Sequence, residues 1–266
     1  MTKTAQATSR KRGSLILTEG RSGSNWLGSL STGTGVLGTS GEWFARWAFP
    51  KELKSATMDE YLDATIERAS TPNGYFTIKL FPAHLHLFNI KFGEDLITVL
   101  MDRYDCNFIS LYRRDRLRQA ISFARSIQTE QWSSRGGSKR DAQYNGNQIA
   151  RCFFLINRSY AFWEDYAGIR QLEVTKFIYE DLLSAPQPYV DAIAKHANET
   201  VDTLPSSDFK IQRDDTTEEW IERFNKDIPN LNLVAASTPH RTYRRDPSNM
   251  GRFLRAKPMK PYPFTY

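Results

Sequence analysis

Leu15-Ile16-Leu17 limits this chain's fold more than any other stretch. Consecutive apolar residues leave a strand with no polar face, so it must be covered on both sides. The run passes at once into Thr18-Glu19-Gly20-Arg21-Ser22-Gly23. Ser24-Asn25-Trp26-Leu27-Gly28-Ser29-Leu30 then reads as the first turns of a helix, capped by Ser22 or Gly23. A buried strand, a Gly-rich turn and a helix start together make a generic anion cradle, because backbone N–H groups converge where the helix dipole favours negative charge. The loop is not a Walker A sequence, which ends in Gly-Lys followed by Ser or Thr. Here Arg21 supplies the cation ahead of the helix, and Ser22, Ser24 and Asn25 supply side-chain donors. The same shape also serves as an ordinary structural turn, so it needs a second anion-binding feature beside it.

The rest of the chain alternates strands and helices. Tyr75–Leu80 reads as a second core strand with Lys79 near its C-terminal end, Asn107–Tyr112 as a third and Glu173–Ile178 as a fourth. Helical spacing predicts helices over Met58–Ala69, over Pro82–Ile90 (with His84 and His86), and around 94–101, 117–129, 145–167, 188–198 and 216–225. On the long helix, Ile149, Cys152, Phe153, Ile156, Tyr160 and Trp163 share one face. Strands separated by helices predict an α/β fold, a P-loop-like parallel sheet flanked by helices. Ligands of such sheets bind at the carboxyl ends of the strands. The Arg21 loop, the strand end at Lys79 and the Arg113-Arg114 turn all reach that edge.

Charge separates the tail from the fold. From Arg241 onward there are seven Lys and Arg against one acid, Asp246, which equals the net charge of +6 of the whole chain. The basicity thus belongs to a C-terminal Pro/Arg-rich tail, 226–266, and not to a nucleic-acid-binding face. Residues 1–12 are polar and read as a disordered N-terminus, leaving 13–225 as the folded domain. No run approaches the ~18 apolar residues of a membrane span, and the apolar run after the N-terminus is too short for a signal-peptide core, so a cytoplasmic protein without a transmembrane segment is expected. Cys106 and Cys152 have no metal-ligand spacing and read as buried free thiols. Ser133–Gln143 has no periodicity and reads as a loop, either a plain surface loop or a lid over a second substrate.

Arg114 and Ser122 form the second anion-binding candidate. Arg114 lies just past the third strand and Ser122 eight residues on, within the next helix. An Arg at a helix N-terminus opposes the dipole, and the bland explanation is that it points to water. A cluster of Arg there is easier to explain if it binds an anion.

These residues carry a family resemblance. Thr18 to Leu27 resembles the 5′-phosphosulfate loop of sulfotransferases that use 3′-phosphoadenosine 5′-phosphosulfate (PAPS). Tyr112-Arg113-Arg114-Asp115-Arg116-Leu117-Arg118-Gln119-Ala120-Ile121-Ser122 resembles their 3′-phosphate motif. The closer likeness is to the bacterial Stf0 family, through Arg113 to Ser122 followed by Gln128-Thr129-Glu130-Gln131-Trp132. Glu42-Trp43-Phe44, Lys79-Leu80, the Tyr144…Ile149-Ala150 helix start, Tyr179-Glu180-Asp181-Leu182 and Thr217-Glu218-Glu219-Trp220 are similar too. The likeness covers roughly 14–225 and makes that region a sulfotransferase domain. It implies cofactor contacts from Arg21, Ser22, Gly23, Ser24 and Asn25, and a 3′-phosphate held by Arg114 and Ser122. It implies a carboxylate base at Glu42, although a helix-start acid beside Gly41 is the plainer explanation of that residue. It also implies a homodimer.

Sulfuryl transfer suits these residue types. The acceptor hydroxyl loses a proton as it attacks, which a positioned carboxylate or His accepts. Charge builds on the leaving oxygen and spreads over the sulfonate, where Arg, Lys and backbone N–H groups stabilise it. Arg21 is the candidate leaving-group stabiliser, with Lys79 and His84 as secondary catalytic candidates, although a lone His near a strand end is more often structural. No metal is needed. The expected activity is transfer from PAPS to a hydroxyl of a carbohydrate or glycolipid; trehalose, a lipopolysaccharide sugar, a glycolipid headgroup or a secondary metabolite all fit. Trp43, Phe44 and Trp47 lie near the base, where they either stack on a sugar ring or pack in the core. Two other readings stand beside this one. A P-loop-like nucleotide phosphotransferase lacks its loop Lys and a metal-binding carboxylate after a core strand. A non-catalytic relative would bind nucleotide or glycan without transfer.

Overall fold

The computed structural model describes residues 10–48, 56–132, 140–209 and 215–238. Most of the expected N-terminal disorder (1–9), the first seven residues of the expected 133–143 loop (133–139) and most of the basic tail (239–266) therefore lie outside the described residues. In chain order the first elements are β1 Arg12–Leu17, α1 Ser24–Gly33, α2 Met58–Ala69, β2 Phe76–Leu80, α3 Pro82–Phe92, α4 Leu96–Arg103 and β3 Asp105–Tyr112. They are followed by α5 Arg116–Thr129, α6 Gly146–Ile169, β4 Val174–Ile178, α7 Tyr179–Leu182, α8 Gln187–Ala197, α9 Asp215–Asp227 and α10 Leu233–Ser237. The chain divides into two compact units, 1–114 with 160–207 and 115–159 with 208–266.

The first unit holds the sheet, whose strands are all parallel and ordered β2-β1-β3-β4. Period-two alternation in β1 sorts its side chains between two cores. Leu15 and Leu17 join Phe76, Ile78, Leu80 and Phe108 on one face, covered by Leu62 and Ile66 of α2, Phe88 of α3, Leu100 of α4 and Trp163 of α6. Ile16 joins Ile109 and Leu111 on the other, covered by Leu27 and Leu30 of α1 and by Tyr189, Val190 and Ile193 of α8. Each such side chain stabilises the fold by roughly 1.5–3 kcal/mol on leaving water. This is the double covering that an unbroken apolar strand requires. β1 leads to β2 on one side and β3 leads onward to β4 on the other, so the sheet's switch point lies between the carboxyl ends of β1 and β3.

β1 starts at Arg12, inside the stretch expected to be disordered. Arg12 stands in register with Asp105 of β3, and its Nε lies 3.2 Å from the Asp105 carboxylate. A polar strand start of this kind is specified by its partner strand and not by its own pattern. α2 begins in a capping box, with the Thr57 hydroxyl accepting from Glu60 N–H and the Glu60 carboxylate accepting from Thr57 N–H.

In the second unit α5 packs on α9. The Asp115 side chain caps α5, accepting from Arg118 N–H at 2.9 Å. Arg118 is held between Asp115 (3.0 Å) and Glu218 (3.0 Å), and Arg125 donates to the Thr217 hydroxyl at 2.9 Å. Ile149, Cys152 and Ile156 at the start of α6 are buried, and Phe153 is only half-buried. Past Lys226, where no periodicity is visible, a 3-10 turn at Ile228–Asn230 and α10 continue the fold. The Asn232 side chain caps α10 by accepting from Ala235 N–H at 2.9 Å. Both cysteines are free thiols, and burial pushes each up to about 12. Among the described residues no helix is long and apolar enough to cross a membrane.

Candidate active site

The β1–α1 loop is fastened at its root. Thr18 N–H donates to the Leu80 carbonyl (3.0 Å), and the Thr18 carbonyl accepts from the Trp163 indole (3.0 Å). The Thr18 hydroxyl lies 2.8 Å from both the Leu111 carbonyl oxygen and the Ser22 hydroxyl. One small residue thus ties the loop to the ends of β2 and β3. Arg21 then adopts φ 65° and Gly23 φ 87°. A left-handed arginine costs of order 1 kcal/mol and marks a backbone conformation that its surroundings impose. Left-handed residues spaced this way turn successive N–H groups towards a common anion. α1 follows with Gly23 as N-cap, no side-chain cap bond and no acid in its first turn. Nothing in that turn opposes an anion at the positive end of the helix dipole.

Gly23 is required on two grounds. Its φ is one that L side chains rarely adopt, and a Cβ there would lie 2.2 Å from the Tyr179 ring. The loop packs directly on that ring, which also meets Trp26 edge-on at 6.2 Å. Of the predicted loop donors, Ser22 is fully buried and engaged with Thr18, Ser24 is buried at the start of α1, and Asn25 is half-buried.

Glu42 is placed by the chain running along β2. Gly38, at φ 77°, brings the backbone so close that a Cβ would lie 2.4 Å from Thr77 N. Gly41 then bridges to Ile78 in parallel, its carbonyl accepting from Lys79 N–H at 2.8 Å. The next residue, Glu42, comes to lie beside the Lys79 side chain. Lys79 is only 5% exposed. Its Nζ donates to Asn25 Oδ1 and lies 3.6 Å from Glu42 Oε1. A buried ammonium is costly unless paired, and here an amide and a carboxylate supply the pairing. Asn25 from α1, Glu42 from the β2 edge and Lys79 from β2 itself thus converge.

The aromatic residues near Glu42 divide. Phe44 lies in the core, and Trp43 is half-buried, donating its indole N–H to the Thr39 carbonyl (2.7 Å) beneath the Arg68 guanidinium. Trp47, on a 3-10 turn over Arg46–Ala48, is 72% exposed.

His84 is buried in the first turn of α3. Its Nδ1 accepts from Phe81 N–H at 3.2 Å, its ring stacks on Phe81, and it bonds to the Lys79 backbone. Burial, reinforced by the Lys79 ammonium, pushes it down to about 3. The folded protein therefore holds His84 neutral, whereas in an unfolded chain it titrates near about 6.5. Its contribution is complete above about pH 6.5 and is lost as pH falls towards about 3, because only the unfolded state takes up the proton. Urea unfolding at pH 7 and pH 5 checks this. Stability of the parent falls more steeply on acidification than that of His84→Gln, by up to about 1.4 kcal/mol per pH unit. Parallel pH profiles would refute the neutral, buried histidine.

At the end of β3 two arginines meet α7. The Arg113 side chain, 13% exposed, has its Nε 3.6 Å from Glu180 Oε1, donates from Nη1 to the Arg21 carbonyl at 3.3 Å and lies over the Tyr179 ring at 5.2 Å. Arg114 is 59% exposed and donates from Nη2 to both Asp181 oxygens at 2.8 and 2.9 Å. Its backbone N–H donates to Glu180 Oε2 at 2.7 Å. Ser122 belongs to the second unit, half-buried on α5, where its carbonyl accepts from the Ser126 hydroxyl. The first unit thus gathers Arg21, Ser22, Gly23, Ser24, Asn25, Glu42, Lys79 and Arg113, with Arg114 at the neighbouring strand end. In the sequence, Thr18 and Glu180 enter only within the family motifs, and Arg113 only as part of the Arg113-Arg114 turn, without a role of their own. Their signal is position: each sits at or just past the C-terminal end of a core strand.

A family model described as Stf0 sulphotransferase matches residues 13–227. A protein named trehalose 2-sulfotransferase from Mycolicibacterium smegmatis is 25% identical over 251 residues, covering 80% of this chain and 94% of that protein. One of the same name from Mycobacterium tuberculosis is 25% identical over 132 residues, 47% of this chain and 48% of that protein. Among solved structures, a sulfotransferase from Alicyclobacillus acidocaldarius is similar over 85% of this chain and 99% of its own, at 12% identity and a TM-score of 0.47.

Proposed function

This chain belongs to the Stf0 sulphotransferase family, and from that premise we propose that it transfers a sulfuryl group from PAPS to a hydroxyl of a carbohydrate or glycolipid acceptor, with Glu42 as general base. The observation that carries the reading is the convergence of Lys79 with Asn25 and Glu42 beside a loop whose Arg21 and Gly23 are left-handed. The residues present fit an anionic donor. The start of α1 carries no acid, and the cations of Arg21 and Lys79 belong to the loop and to the adjoining strand.

In this mechanism the β1–α1 loop and the N-terminus of α1 hold the 5′-phosphosulfate. On the first unit Arg114 holds the 3′-phosphate, for which it exchanges its Asp181 partner; the family resemblance adds Ser122 to that role. The acceptor hydroxyl attacks sulfur in line with the bridging oxygen and gives its proton to Glu42. The S–O bond to the 5′-phosphate breaks, and the leaving phosphate takes the electron pair. Arg21 and Lys79 stabilise the charge that develops there. His84, neutral and committed to α3 and to the Lys79 backbone, positions Lys79 and takes no proton. Relatives that bear the name trehalose 2-sulfotransferase support a carbohydrate acceptor, and the exposed Trp47 offers a ring face on which a sugar stacks.

Calorimetric titration with adenosine 3′,5′-bisphosphate, ATP and AMP tests the donor site. Binding of the bisphosphate at least about tenfold tighter than AMP is expected from one additional charge-assisted phosphate contact. Tight ATP binding with no preference for a 3′-phosphate would overturn the reading in favour of a phosphotransferase.

A further inference from the structure

Of the Tyr179-Glu180-Asp181-Leu182 segment, only Asp181, the partner that Arg114 gives up, enters the mechanism above. Leu182 anchors it in the core shared by α1 and α8. Tyr179 fills the space that a side chain at Gly23 would need. Glu180 spans the end of β3: one oxygen accepts the Arg114 N–H at 2.7 Å, and the other lies 3.6 Å from Arg113 Nε. Arg113, mostly buried, donates onward to the Arg21 carbonyl at 3.3 Å. A chain of contacts therefore runs from α7 through β3 to the one arginine of the β1–α1 loop that holds a left-handed backbone.

We propose that Arg113 is a positioning residue and not a phosphate ligand: braced by Glu180 and Tyr179, it holds the Arg21 carbonyl and so sets the β1–α1 loop in its anion-binding form. The physical reason lies in the peptide plane. In a trans peptide the carbonyl of one residue and the N–H of the next point to opposite sides. Fixing the Arg21 carbonyl towards Arg113 therefore turns the Ser22 N–H away from it. The guanidinium also offsets the cost of the left-handed conformation at Arg21, since a hydrogen bond from a charged donor is worth more than a neutral one. Arginine suits the task because its planar fork addresses an acid and a carbonyl at once, which a lysine ammonium on a flexible stem does less well.

This inference rests on the reading of the loop as a 5′-phosphosulfate site. Its test compares adenosine 3′,5′-bisphosphate with adenosine 3′-monophosphate, which lacks the 5′-phosphate, by calorimetry on the full chain, with thermal unfolding measured alongside. In the parent, the bisphosphate binds more tightly by an increment due to the 5′-phosphate. Arg113→Ala is expected to shrink that increment by about 10- to 100-fold while leaving the 3′-monophosphate affinity in place. Glu180→Gln, which keeps an acceptor for the Arg114 N–H, is expected to shrink it in the same direction, and Arg113→Lys to restore it only in part. If Arg113 were itself a phosphate ligand, removing the Glu180 charge would raise bisphosphate affinity, and that result would overturn the brace. So would a parallel loss for both nucleotides with a fall in Tm, the mark of a merely structural role. A parent that binds the two nucleotides equally would overturn the phosphosulfate reading itself, and the brace with it.

Discussion

Glu42→Gln leaves the affinity for adenosine 3′,5′-bisphosphate unchanged and lowers turnover by about 10²-fold or more, the usual scale for losing a general base. Gln keeps the size of the side chain and an oxygen to face Lys79, whose Nζ lies 3.6 Å away. It removes the capacity to accept a proton, together with the negative charge that faces the Lys79 ammonium. The Glu42 side chain is 22% exposed, so an acceptor hydroxyl has a route to it, unlike the buried His84. Steady-state kinetics with a carbohydrate acceptor, beside calorimetry of the bisphosphate, separates the two effects. Unchanged turnover would remove Glu42 from the mechanism. A matching loss of bisphosphate affinity would make it a loop-positioning residue instead.

Lys79→Met has the other large effect, a fall in turnover of about 10²- to 10³-fold, the range seen when one donor that stabilises developing oxyanion charge is removed. Methionine follows the path of the lysine stem and is at home in a buried strand. Removing one partner of a buried pair is costly when the remaining charge has nowhere to go. Here Glu42 reaches water and Asn25 is neutral and half-buried. The Tm is therefore expected to change little while the chemical step slows. Kinetics and thermal unfolding on the same preparation check this. A large loss of Tm with turnover preserved per folded molecule would assign Lys79 to structure and leave charge stabilisation to Arg21.

These predictions separate two levels of the site. Arg21, Lys79 and Glu42 are proposed to meet the reacting groups. Thr18, Tyr179, Glu180 and Arg113 hold the loop that presents Arg21, and their loss is read in binding increments before it is read in rate. His84 stands apart again. Its neutral ring supports the strand end that carries Lys79, and its signature is a pH-dependent stability.

The amino-acid sequence determined by itself most of the features governed by neighbours a few residues away, although not the short α10 that Asn232 caps. The apolar Leu15-Ile16-Leu17 run, buried on both faces, required a central parallel strand, and the Gly-rich turn behind it required a helix start at Ser24. Helical spacing marked α2 at Met58–Ala69 to the residue, because a capping box opens it and Thr71-Pro72-Asn73-Gly74 stops it. Lys79 was legible as a strand-end cation for the same local reason. The tertiary structure alone decided what those elements bring together. Arg12 became a strand residue because Asp105 stands opposite it. Phe44 went to the core and Trp47 to the surface, although both lie in one aromatic segment. Glu42 met Lys79 only because Gly38 lets the backbone run against β2 and Gly41 bridges to Ile78. Arg113 reached the Arg21 carbonyl because β1 and β3 are paired neighbours at the switch point, 92 residues apart along the chain. Local spacing encodes periodicity and capping, whereas the meeting of side chains depends on strand order and register, which the packing of both sheet faces settles together.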